Sequence, residues 1–435
     1  MIARPTDKYE PRHVRGFAFA GSEKRSSDAL GPASFVVWFL GIVLGLLYAT
    51  AITYSFAGSE HGDEIYHYAQ IHLFRIGDFR VLDTYLTTIP GYHAVVAVLL
   101  KLAGLDSLGA ARAINAMIGL VMLATFHALR RRVWPATECV ATAQLVALPI
   151  LAPYFFLVYT DVLALALILG AVAAMLARRH VLSALLLVCV VAVRQNDVVW
   201  AGFVGLLAVW PSWRENTLTH WKSIVSIALP YALPVVTFLA FWAWNGSISL
   251  SHGQAALHPE LTLHFGNPFF ALLLVGVLMP LHVLAGLRDF VGWLRGRLWL
   301  LAIPLTLFAL YWFGFRADNP YNGAMPAFLP RNAFLLALDR EPWLRAAAGI
   351  VMVVAFCGLA ATRLRPSAAA WLYPIAAFFL AASWLIEQRY ALVPIVLWLA
   401  FREQRARWME YATLALWLVL AVCLFSGVVT GRFFL

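Results

Sequence analysis

A chain of 435 residues that is 62% hydrophobic and 12% charged, with a mean hydropathy of +0.79, carries more apolar side chains than one soluble core can bury. Lipid must therefore serve as part of its solvent. The composition excludes a disulfide scaffold and a metal knuckle, because Cys139, Cys189, Cys357 and Cys423 stand singly inside apolar runs. The net charge of +10 comes without a basic stripe on a soluble module, so nucleic acid is set aside as a partner and membrane topology is left as the cause.

The first 33 residues are polar and basic, with Arg4, Lys8, Arg12, Arg15, Lys24 and Arg25. They precede the first apolar run, the wrong order for a cleaved signal peptide, and read as a cytoplasmic tail ahead of a single membrane domain over 34–435. A span needs about 20 mostly apolar residues. Candidate runs lie at 34–57, 110–129, 137–152, 155–177, 181–193, 197–210, 224–244, 267–287, 298–315, 344–361, 369–386, 390–401 and 410–430. The fold class is thus an all-α polytopic membrane protein of about 12–14 spans.

Between the first two runs, residues 58–109 form a long polar connection. Ile65, Tyr68, Ala69, His72 and Leu73 recur in it at helical spacing, and a second helical run, Ile89 to Leu102, follows the break at Pro90-Gly91. With the N-terminus inside, the basic connections all fall on the cytoplasmic side: Arg130-Arg131-Arg132, Arg178-Arg179, Arg214 to Lys222, Arg288 to Arg297, Arg363 to Arg365 and Arg402 to Arg407. The other side collects Asp63-Glu64, Tyr159-Thr160-Asp161, Arg194-Gln195-Asn196-Asp197, the Asn245 to His264 loop, Asp318-Asn319 and Glu387-Gln388-Arg389-Tyr390. Carboxylates, amides, Arg and His delivered to one face by six segments look like a site at the membrane boundary. No internal repeat supports a transporter built from inverted halves.

Asp63-Glu64-Ile65-Tyr66-His67, followed by Thr87-Thr88-Ile89-Pro90-Gly91-Tyr92, resembles the first lumenal loop of the eukaryotic α-1,2-glucosyltransferases that add the last glucose to the dolichol-linked oligosaccharide. That family reads Asp-Glu-Ile-Phe-His and Thr-Thr-x-Pro-Gly-Leu-Tyr. Tyr159-Thr160-Asp161, Arg194-Gln195-Asn196-Asp197, Asn245-Gly246-Ser247-Ile248 with Leu263-His264-Phe265, Ala317-Asp318-Asn319 and Glu387-Gln388-Arg389-Tyr390 are similar to family segments in the same order. Two segments depart from the pattern. Asp318-Asn319 leads into Pro320-Tyr321-Asn322 rather than Arg-His-Tyr, and Ser249-Leu250-Ser251-His252-Gly253 stands where the family continues through Gly-Asp-Lys.

The resemblance implies a GT-C-type glycosyltransferase with an extracytoplasmic site. Its donor would be a polyprenyl-phosphate sugar, most simply glucose, and its acceptor a lipid-linked or envelope glycan. Such a transfer needs a base for the acceptor hydroxyl and cations for the departing phosphate. Asp63 is the first candidate base and Glu64 the second; capping of the following helix is the alternative for the pair. Arg389 is the first candidate for the phosphate, against local pairing with Glu387. Arg194 could serve instead, with Gln195, Asn196 and Asp197 on sugar hydroxyls, or this segment is simply a polar helix end. Asp161 either has a cationic partner or faces the aqueous cavity, and the cavity is favoured. His67 reaches the same site or orients the acidic pair. His264, by its family position, meets the phosphate or a sugar, or is an ordinary loop histidine; Asp318 and Asn319 contact acceptor or sugar, or form a turn before Pro320. His252, His258 and His264 lack metal-ligand spacing with any acidic neighbour, and neither metal nor cofactor is expected.

Two other readings stand beside this one. One keeps the architecture but transfers mannose, aminoarabinose or another pentose to lipid A or a surface polysaccharide. The other is a lipid or proton-coupled transporter using Asp161 and Asp197. Arg-rich, small-residue helices point to a GC-rich bacterial genome, hence an inner membrane with the site in the periplasm; in a eukaryote the membrane would be the endoplasmic reticulum.

Overall fold

The computed structural model describes residues 45, 49, 59–82, 85–214, 221–251 and 262–434. The basic tail, all but two residues of the first apolar run, His252 and His258 lie outside them. Every described element of length is helical; the one β-bridge described pairs Leu364 with Arg402.

Helices α1 (Glu64–Arg75) and α2 (Gly91–Ala103) make up the polar connection. Then come α3 (Leu108–Val133), α4 (Glu138–Ala147), α5 (Asp161–Leu176), α6 (His180–Val193) and α7 (Val199–Arg214). The next helix is α8 (Trp221–Ala228) joined through a 3-10 turn, Leu229–Tyr231, to α9 (Ala232–Asn245). The remainder are α10 (Gly266–Leu278), α11 (Pro280–Leu294), α12 (Ala302–Gly314), the single turn α13 (Pro320–Gly323), α14 (Pro330–Arg340), α15 (Pro342–Ala360), α16 (Leu372–Ala381), α17 (Leu392–Phe401) and α18 (Arg407–Val429).

Each expected run from 110–129 onward coincides with a helix. Among the described residues four are long and apolar enough to cross a bilayer alone: α3, α8 with α9, α15 and α18. The α10–α11 pair passes the same test but is bent by 104°, and the other apolar helices are of 10–17 residues. This is a multi-span helical membrane protein in which many spans are short or broken. Broken helices are tolerated in a bilayer only where other protein groups satisfy the freed backbone.

Side chains supply those groups. Pro280 cannot continue α10, and the indole of the buried Trp417, on α18, donates to the Leu278 carbonyl at 2.6 Å. At the end of α17, buried Arg130 from α3 donates to the carbonyls of Leu399, Ala400 and Arg402 at 3.1, 3.0 and 2.5 Å. Its neighbour Arg402 pairs with Glu410 at 2.6 Å, and Glu410 also accepts from Gln144 at 2.9 Å and meets His282 at 3.1 Å. The "basic loop" residues Arg130 and Arg402 are therefore buried struts at one end of the bundle, where cations also suit helix C-termini. Helices α11 and α15 pack backbone to backbone: a Cβ on Gly286 would lie 2.3 Å from the Gly358 carbonyl oxygen.

Helix α1 forms where its periodicity places it but buries Glu64, Gln70 and Ile71, while Ile65 is 52% exposed. The helical spacing was legible; the buried face is set by a buried charge rather than by its apolar residues.

Candidate active site

Gly62 adopts φ +60°, and a Cβ there would fall 2.6 Å from the Phe434 ring and 2.9 Å from the Tyr159 hydroxyl. That left-handed turn presents Asp63 at the start of α1. The Asp63 side chain makes no helix-capping bond. Its backbone N–H donates to the Tyr159 hydroxyl at 2.8 Å, and its carboxylate, 52% exposed, meets Arg389 Nη2 at 3.3 Å. Two segments 326 residues apart in the chain thus meet at one acid and one guanidinium.

Arg389 belongs to the 3-10 turn Gln388–Ala391 that opens α17. Its Nε donates to Glu387 Oε1 at 2.6 Å, and its guanidinium lies 5.2 Å from the centre of the Tyr159 ring. Glu387 also faces Arg331 at 3.4 Å. Burial raises the Glu387 carboxyl, but Arg389 and Arg331 outweigh it and hold the group below the usual carboxylate range. Burial works against the Arg389 charge, and Glu387 leads the groups that reverse this and lift its pKa well above the ordinary value. The arginine stays charged and keeps one edge toward Asp63.

The turn is held by amides. Asn267, at the start of α10, donates to the carbonyls of Ser383 and Leu385 at 2.9 and 2.7 Å and accepts from the Glu387 N–H at 2.9 Å. Asn322 exchanges two bonds with the Ile386 backbone, at 2.9 and 3.0 Å. Below Asp63, His67 Nδ1 lies 2.9 Å from His93 Nε2, and its ring packs edgewise on Tyr159 at 5.3 Å. Burial, then Arg389 and Arg194, push His67 down to about 3, so it is a neutral imidazole at physiological pH.

A model of the DIE2/ALG10 family matches residues 59–220, which carry Asp63, the Thr87 to Gly91 turn, Tyr159 and Arg194. The chain is related to the DIE2/ALG10 family. Named relatives agree. The Dol-P-Glc:Glc(2)Man(9)GlcNAc(2)-PP-Dol alpha-1,2-glucosyltransferase of Yarrowia lipolytica is 30% identical over 202 residues, 42% of this chain but 39% of that protein. The Drosophila melanogaster enzyme of the same name is 24% identical over 412 residues, covering 86% of this chain and 90% of its own. Two crystal structures of ArnT from Cupriavidus metallidurans, apo and bound to undecaprenyl phosphate, align at 14% and 15% identity with TM-scores of 0.45 and 0.46, over 92% of this chain and 78% of theirs.

Several segments shared with the family have a different place from the one expected. Glu64 is fully buried, paired with Arg112 at 3.0 and 2.5 Å and accepting from the N–H groups of Val158 and His61 at 2.7 and 2.9 Å. A carboxylate so enclosed cannot take a substrate proton; it ties α1 to α3. Asp161 does not face a cavity but pairs with Arg194, which also lies 3.7 Å from Asp197. Two acids therefore neutralise Arg194. Gln195 is spent on backbone: it donates to the Thr87 and Ile248 carbonyls at 2.6 and 2.8 Å and accepts from Ile89 N–H at 3.1 Å, pinning the Pro90-Gly91 turn. Asn319 caps α13 by accepting from Tyr321 N–H at 3.0 Å, so the turn reading holds there.

Other residues stay available. Asn196 is exposed at the helix break. Asp318 is exposed and accepts from the Trp384 indole at 2.8 Å, while the His264 ring stacks on Trp384 at 5.8 Å with its Nε2 unpartnered. Asp318, Trp384 and His264 therefore flank the segment that carries Glu387 and Arg389. Sequence reading missed Arg112, Arg331, Asn267 and Asn322. Arg112 had a signal, since a guanidinium inside an apolar run needs a buried partner; the others gave none.

Proposed function

We propose that this chain is a GT-C-type inverting glycosyltransferase that moves a hexose, glucose in the first instance, from a polyprenyl-phosphate sugar to a hydroxyl of a lipid-linked or envelope glycan. The activity for which the relatives are named supports the donor class, and the meeting of Asp63 with Arg389 at 3.3 Å carries the mechanism. Asp63 is the most exposed carboxylate of this cluster and lacks the buried pairing of Glu64, Asp161 and Glu387.

With the donor bound, its phosphate takes the edge of Arg389 that faces Asp63 and accepts two guanidinium hydrogen bonds there, so that Asp63 loses its guanidinium partner. The acceptor oxygen attacks the anomeric carbon from the face opposite the phosphate while Asp63 removes its proton. The bond from the anomeric carbon to the phosphate oxygen breaks with its electron pair, and Arg389 stabilises the polyprenyl phosphate that leaves. Neutral His67 orients the Tyr159 and Asp63 turn and carries no proton for the reaction. No metal step is needed, because one phosphate monoanion meets an arginine; undiminished transfer after exhaustive chelation is the expected result. The site faces the side away from the basic connections, which is the extracytoplasmic side in a bacterial inner membrane.

Radiolabelled transfer from a panel of polyprenyl-phosphate hexoses and pentoses to extracted envelope lipids, for the wild type and Asp63→Asn, tests this. Transfer from the glucose donor that falls by about 10²–10⁴-fold in the variant is expected. Transfer from a mannose or pentose donor alone would change the sugar, and none from any donor by folded protein would favour transport.

A further inference from the structure

At the opposite end of the bundle lies a cavity that the transfer reaction does not use. Helix α17 starts beside Arg389 and ends at Arg402, and α15 starts near Arg345 and ends at Ala361 to Arg363. Those far ends, with the second half of α11, line an open cleft of about 870 Å³. Four arginines line it, Arg288, Arg295, Arg363 and Arg405, against two acids, Asp289 and Glu403. Arg405 pairs with Asp289 at 2.6 Å. Arg288, Arg295 and Arg363 have no ion-pair partner among the described residues, so three guanidiniums face one remaining carboxylate. The floor is rigid, because the Arg402–Glu410–His282 network lies directly under Glu403 and Arg405.

The same cavity has an apolar flank. Leu284, Val291 and Trp293, all on α11, line it and are 57%, 51% and 45% exposed. Topology alone explains why arginines gather on this side. It does not explain a cleft in which guanidiniums without an ion-pair partner among the described residues stand beside exposed leucine, valine and an indole. A phosphodiester headgroup with its acyl chains alongside satisfies both halves at once, and basic pockets between spans are suited to anionic headgroups.

We propose that this cavity binds the headgroup of an anionic phospholipid from the leaflet opposite the Asp63–Arg389 site, with an acyl chain along Leu284 and Val291. The full-length protein in detergent, titrated with phosphatidylglycerol, phosphatidylcholine or inorganic phosphate, provides the test by native mass spectrometry and thermal unfolding. Phosphatidylglycerol should bind at least about tenfold more tightly than phosphatidylcholine and raise the unfolding temperature, and a variant carrying R288Q, R295Q and R363Q should lose that preference. Equal binding of the two lipids, an unchanged preference in the variant, or an equal response to inorganic phosphate overturns the proposal. If the variant does not fold, a photoreactive acyl-chain phosphatidylglycerol decides on the wild type: crosslinks within 284–295 support the site, and crosslinks only elsewhere overturn it.

Discussion

At the scale of single residues, adjacent Asp63 and Glu64 share a chemical type and have opposite fates. Glu64 is enclosed by Arg112 and two backbone N–H groups, so Glu64→Gln should leave a buried unpaired guanidinium and cost about 3–5 kcal/mol. Thermal unfolding of Glu64→Gln, of Arg112→Leu and of the double variant checks this; the double variant should be less destabilised than the sum of the two. Asp63→Asn should leave the unfolding temperature nearly unchanged while transfer is lost. His67 supplies a pH test. Its imidazole gains a proton near 6.5 in the unfolded chain and near 3 when folded. The unfolded state therefore binds the extra proton between those values. The contribution of neutral His67 is whole above pH 6.5 and is lost as pH falls toward 3. A plot of unfolding temperature against pH should fall less steeply over this window in His67→Gln than in the wild type. The acidic pair stood out in the sequence because carboxylates beside a membrane are costly; that Glu64 is spent on structure depends on Arg112, 48 residues away.

At the scale of elements, broken helices are made tolerable by donors from neighbours. Trp417→Phe keeps most of the apolar contact but strips the donor from the Leu278 carbonyl at the 104° bend, and should cost about 1–3 kcal/mol. Gly286→Leu should be more damaging, since its Cβ already falls 2.3 Å from the backbone of Gly358. The positions of these helices were legible from apolar run lengths. Their breaks were less so: Pro280 announces one, but the Leu278 carbonyl at that break is satisfied from α18, more than a hundred residues on. Likewise Asn267 and Asn322 look like ordinary polar residues until both are seen bonding the backbone that precedes Arg389.

At the scale of the whole molecule, the two ends of the bundle differ in kind. One end joins Asp63, Arg389 and the Asp318–Trp384–His264 cluster; the other carries interlocked arginines and the cavity of about 870 Å³. Single cysteines at Asn196 and Arg363, both exposed, in a background without the four native cysteines, should react with impermeant maleimide from opposite sides of intact cells and inverted vesicles. Labelling of both from one side would overturn the sidedness. By itself the sequence determined the solvent, the helical class, the placement of most helices and the polar segments that share a face. Run length, hydropathy and charge are local properties, and each can be read in a window of residues. Tertiary structure alone decided which carboxylate stays exposed, that Arg194 is held between two buried acids while Arg389 shares its charge with the exposed Asp63, and which amides are spent holding backbone. Those outcomes depend on partners far apart in the chain, and a charge or a donor has no fixed role until the fold settles what lies within hydrogen-bonding distance of it.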